Sequence, residues 1–72
     1  MKEFEYNGKI IKKGLTMYDI RHTFAREIQN IENFDDHTVV TLEGNEDVKA
    51  IIITLENCLV TEIMIVKRKK DE

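Results

Sequence analysis

Residues Val48 to Val66, VKAIIITLENCLVTEIMIV, decide how this chain folds. Two β-prone runs flank a short polar interruption at Glu56-Asn57-Cys58, which is the signature of a strand, a turn and a strand. A hairpin lying on the surface of a small protein alternates apolar and polar residues, because only one of its faces is covered. This one is apolar on both faces, so it expects cover on two sides.

Register decides which residues go where. With a three-residue loop at Glu56–Cys58, Leu55 opposes Leu59. The odd-numbered face then gathers Ile51, Ile53, Leu55, Leu59, Ile63 and Ile65. The even face carries Ala50, Ile52, Thr54, Val60, Glu62, Met64 and Val66, with Glu62 its only charge. The odd face is expected under a helix. Ile52, Val60, Met64 and Val66 are left as an apolar patch of the size at which exposed surfaces usually mark an interaction site.

Upstream, Thr38–Glu43 reads as another strand, joined to Val48–Leu55 by the polar turn Gly44-Asn45-Glu46-Asp47. The chain opens with a further hairpin, Lys2–Tyr6 and Lys9–Lys13 around Asn7-Gly8, since both turn residues tolerate the positive φ of a type I′ turn. A two-residue loop pairs Tyr6 with Lys9, Glu5 with Ile10 and Phe4 with Ile11. Between hairpin and sheet, Thr16 and Asp19 form a capping box, with Leu15 and Ile20 as a hydrophobic staple. Met17, Ile20, Phe24, Ile28 and Ile31 recur at spacings of three and four, which predicts a helix over about residues 17–32. The fold class is therefore α+β: a single amphipathic helix packed on an antiparallel sheet, element order ββ-α-βββ, in one domain spanning 1–72 with 67–72 as a charged tail.

Length and composition narrow the function. A chain of 72 residues buries only about 60% of the surface its unfolded form exposes, so it needs an added source of stability. The single cysteine, Cys58, excludes an internal disulfide and suits a reducing compartment. His22 and His37 are the only histidines, too few to make a metal site or a cofactor expected. Self-association is the remaining economical source. There is no basic segment followed by an apolar run, and no apolar run approaches the ~20 residues of a membrane span, so a cytoplasmic protein is expected. Ten isoleucines against two alanines, with no proline or tryptophan, suit an AT-rich genome, that of a low-GC bacterium or of a phage or mobile element within one.

The net charge of −3 is unevenly spread, with both ends basic and the middle acidic. Lys67, Arg68, Lys69 and Lys70 form a run that can grip phosphates, alone or with Lys12, Lys13 or Arg26, but it also serves as a solubilising guard beside an apolar strand. His22 and Arg26, one helical turn apart, would make a second basic ridge. Glu32, Asp35, Asp36, Glu43, Glu46 and Asp47 are expected around one end of the sheet, a surface that an acidic inhibitor of a host protein would present. His37 with Cys58 is the one candidate nucleophilic pair, and nothing in the spacing forces them together. The reading that follows is a non-enzymatic binding module and homodimer, with no cofactor and no membrane contact. Its alternatives are a nucleic-acid-binding regulator using the tail, and a protein inhibitor using the acidic surface.

Overall fold

A computed structural model describes residues 3–69; Lys70 of the basic run lies outside them. Seven elements follow in order: β1 (Glu3–Tyr6), β2 (Lys9–Lys12), α1 (Met17–Thr23), β3 (Ile28–Asn33), β4 (Thr38–Glu43), β5 (Val48–Glu56) and β6 (Leu59–Lys67). The protein is a small α+β fold of order ββ-α-ββββ, with one short helix, a two-stranded sheet β1-β2 and a four-stranded antiparallel sheet β3-β4-β5-β6.

The first hairpin has the expected register, with Phe4 opposite Ile11 and Tyr6 opposite Lys9. Asn7 and Gly8 take φ of 52° and 80°, the conformation a type I′ turn requires. The capping box also forms. Thr16 Oγ1 accepts from the Asp19 backbone N–H and Asp19 Oδ2 accepts from that of Thr16, both at 3.0 Å. Thr16→Ala should cost about 1 kcal/mol, read as a lower urea midpoint at unchanged slope.

The helix ends at Thr23 rather than near residue 32, and Phe24 caps it. Ile28–Asn33, the expected second half of that helix, is instead the edge strand β3. The physical reason is a register shift between Ile28 and Asn30. Residues three apart in a regular strand point to opposite faces, but an extra residue at Gln29 brings Ile28 and Ile31 to the same side. That bulge imitates a helical spacing.

The β5–β6 turn differs from expectation in a similar way. The loop has two residues, Asn57 and Cys58 (φ 54° and 66°), so Glu56 opposes Leu59 and Leu55 opposes Val60. A second irregularity, with Thr61 as the extra residue, then restores odd-with-odd pairing from Ile53–Ile63 onward. Val60 therefore turns into the core at 2% exposure, while Leu59 faces outward at 44%.

Hairpin and helix cover the same side of the four-stranded sheet. Tyr6, Ile11, Ile20 and Phe24 pack in one cluster with Val40, Leu42, Ile51, Ile53, Leu55 and Val60. The connection between hairpin and helix runs along the outer edge of β6. There Gly14 N–H donates to Val60 O at 2.9 Å, Val60 N–H to Leu15 O at 2.8 Å, and Met17 N–H to Cys58 O at 2.9 Å. At the far end the Tyr6 hydroxyl donates to Glu43 O. Burial pushes that hydroxyl's pKa up, and the neighbouring Glu27 and Glu43 carboxylates push it further. Lys9 completes the attachment: its Nζ donates to Thr23 O at 2.9 Å, lies 3.7 Å from Glu27 Oε2 and sits 5.6 Å from the Phe24 ring centre.

Candidate functional site

The side of the sheet away from hairpin and helix is the candidate site. Cross-strand pairing gives its rows directly, because opposed residues share a face. Nearest the β5–β6 turn stand Glu56 and Leu59; next come Glu32, Val39, Thr54 and Glu62; then Asn30, Thr41, Ile52 and Met64; then Glu43, Ala50 and Val66. Ile52, Val66, Val39 and Ala50 are half-buried by their neighbours in the sheet, and Met64 is 51% exposed. None of these five belongs to the core cluster or to the partly buried residues packed against it. The hairpin, which could have closed over this face, lies on the other.

Three of the four residues expected on the patch are therefore there: Ile52, Met64 and Val66. Val60 is not, because the two-residue turn moves it into the core, and Leu59 takes the outward position. The alternation Met64, Val66, Arg68 also carries Arg68 to the open side just past the strand end. Its Nε donates to Asn45 O at 2.6 Å, and among the described residues no carboxylate pairs with it.

The charged candidates are dispersed. Lys67, Arg68 and Lys69 sit at the β4–β5 turn, beside Glu46 and Asp47, because Lys67 pairs with Val48 and Arg68 reaches Asn45. Lys12 and Lys13 lead into Gly14, which bonds to Val60 at the opposite end of β6, about 23 Å away at strand rise. Arg26 lies beyond the end of α1, so the ridge with His22 does not form; His22 stacks on Tyr18 instead, with ring centres 5.1 Å apart. The acids also divide, contrary to the expectation of one acidic end. Asp35 and Asp36 occupy the β3–β4 turn and Glu46 and Asp47 the β4–β5 turn, which lie at opposite ends of β4.

His37 and Cys58 do come together, lining a shallow depression of about 220 Å³ with Phe34, Asp35, Asp36, Thr38, Leu55 and Asn57. The imidazole is otherwise engaged: Nδ1 meets Asp36 Oδ1 at 2.6 Å and the ring stacks on Phe34 with centres 4.7 Å apart. That hydrogen bond, from a partner that is cationic when protonated, holds the Asp36 carboxyl below the usual carboxylate range. Among the described residues no three His, Cys, Asp or Glu side chains are placed to hold a metal ion, and no helix is long and apolar enough to cross a membrane. Compared with known proteins, the chain matches no family model, no curated protein and no solved structure.

Proposed function

We propose that the chain is a non-enzymatic interaction module that pairs with a second copy of itself through the open face of its four-stranded sheet. The observation that carries this is the placement of the hairpin: with Tyr6 and Ile11 committed to the core side, Ile52, Met64 and Val66 face outward with none of the described elements packed over them. An apolar sheet face exposed in this way loses about 25 cal/mol for every square ångström of apolar surface left in water, which a face-to-face partner recovers.

Size sets the expected strength. Four strands at ~4.8 Å spacing and about six residues of length give a face of about 400 Å² in projection. Two such faces bring together about 800 Å² in projection, and the corrugated accessible surface over it is larger, near the ~1,200 Å² at the low end of specific interfaces. The dimer is therefore a concentration-dependent one that dissociates on dilution.

Met64→Lys tests this without touching the core, since the residue is half exposed and outside the packed cluster. A lysine there puts a charged ammonium of each copy into the apolar contact, where it must be desolvated. The expected result is a folded monomer by sedimentation, at concentrations where the parent chain is dimeric. A folded Met64→Lys chain that remains dimeric would remove this face from the interface.

A further inference from the structure

We infer that the two copies meet with their strands antiparallel, about a two-fold axis running across the strands near Met64, and that the basic tail of each grips the acidic end of the other. This rests on the dimer reading above and specifies its geometry.

Two in-plane two-fold axes can bring one sheet face onto its copy, and the face pattern distinguishes them. An axis parallel to the strands lays β6 over β3 of the second copy. It stacks Glu62 on Glu32 twice over and sets Met64 against Asn30, given the rows in which these residues lie. Like charges meet and apolar atoms meet amides. An axis across the strands lays each strand over its own counterpart, running the other way. The row of Met64, Ile52 and Thr41 then packs on itself, and the row of Glu62 faces the row of Val66. This second arrangement keeps apolar on apolar.

It also resolves the charges. The open face carries Glu32, Glu43, Glu56 and Glu62; its paired rows hold no basic residue, and Lys49, the exposed extra residue between Val48 and Ala50, adds one positive charge at the Val66 end. Two copies would repel if these acids met. With strands antiparallel, the strand end that bears Arg68 and Lys69 lies over the strand end that bears Glu56 and Glu62 of the second copy. Arg68 is on the correct side and holds no carboxylate of its own chain among the described residues. The remaining acids, Glu32 and Glu43, come near each other on the β3 side, a cost that makes the tail contacts decisive. Arg68 and Lys69 thus acquire a role: with Lys49 they supply positive charge at one end of a face that is acidic at the other. Complementarity of this kind sets orientation and excludes wrong pairings more than it adds raw affinity.

A charge exchange tests the inference. The double substitutions Arg68→Glu/Lys69→Glu and Glu56→Lys/Glu62→Lys alter exposed side chains outside the core. Each variant alone should dimerise at least about tenfold more weakly than the parent, because each then presents like charges across the two-fold axis. Mixed in equal amounts they should form a heterodimer of near-parental strength. Independently, Met64→Cys in a Cys58→Ser background should crosslink to a dimer with a bis-maleimide whose arm spans about 10 Å, the spacing of two packed sheets, since a residue near the axis meets itself. If the parent chain dimerises but neither double variant is weakened, or Met64→Cys does not crosslink, the antiparallel arrangement is wrong while self-association stands. If the parent chain is monomeric throughout, the dimer reading fails and this geometry fails with it.

Discussion

Replacing Phe24 with alanine is expected to lower the stability of this protein by about 3–5 kcal/mol, the range seen when a fully buried aromatic ring is truncated in a core that cannot close over the gap. Phe24 has no solvent exposure. It caps α1, donating its backbone N–H to Ile20 O at 2.9 Å, and accepts at its own carbonyl from Glu27 at 2.9 Å and Ile28 at 3.1 Å. Its ring lies 6.2 Å from that of Tyr6 and under the Lys9 ammonium. One side chain thus fastens helix, hairpin and the entry to β3. A domain of this length has of the order of 4–10 kcal/mol in total, by the usual per-residue stability. The variant should be largely unfolded at 37 °C, read by far-UV circular dichroism. A urea midpoint close to that of the parent would mean that the hairpin and helix contribute little to the core.

The second large effect is expected at Gly44. A Cβ built on this residue overlaps the carbonyl oxygens of Val48 and Lys49, which are backbone atoms and cannot rotate away. The turn is tight because Asn45 holds it closed: its N–H donates to Val48 O at 2.8 Å, while its Oδ1 accepts from Asp47 and Val48 N–H at 2.8 and 2.9 Å. Gly44→Ala must therefore push the start of β5 away from the end of β4. That movement disturbs Glu43, whose carbonyl accepts from the buried Tyr6 hydroxyl. A loss of about 3 kcal/mol is expected, at the upper end of what forced overpacking costs. Asn45→Ala, which removes the side-chain bonds and keeps the space, should cost less, about 1–2 kcal/mol. Equal midpoints for Gly44→Ala and the parent would show that this turn is slack.

These two residues differ in how readily the sequence reveals them. Phe24 lies on an apolar stripe whose spacing alone marks it as core, even though the helix that the stripe implies is about twice as long as α1. The stripe continues through Ile28 and Ile31 because a strand with one extra residue at Gln29 places its isoleucines at a helical spacing. Periodicity reports which side chains share a face and is silent about the backbone that puts them there. The hairpin at Asn7-Gly8 is legible to the residue pair, since its turn type demands those residues and fixes the register. The turn at Asn57-Cys58 is not. Cysteine at positive φ carries no such signal, and the irregularity at Thr61 lets a two-residue loop and an odd-with-odd face coexist. That one residue exchanges Val60 for Leu59 on the candidate face. Gly44 stands out in the sequence only as part of a polar turn; its closeness to Val48 is a fact of three dimensions.

For function, the side that the hairpin covers matters most, because an apolar second face means little if the chain's own residues lie over it. Tyr6 decides it. Its hydroxyl needs a partner when buried and finds one in the carbonyl of Glu43, so the β1–β2 face bearing Phe4, Tyr6 and Ile11 is drawn onto the core side. The outward face keeps Ile52, Met64 and Val66, and it is on these that the proposed requirement for a partner rests.

Solution mass measured by light scattering over a wide dilution range is the most direct test of that requirement. A mass near twice 8.5 kDa is expected at high concentration, falling toward 8.5 kDa on dilution. A mass of 8.5 kDa at every concentration would contradict self-association through this face.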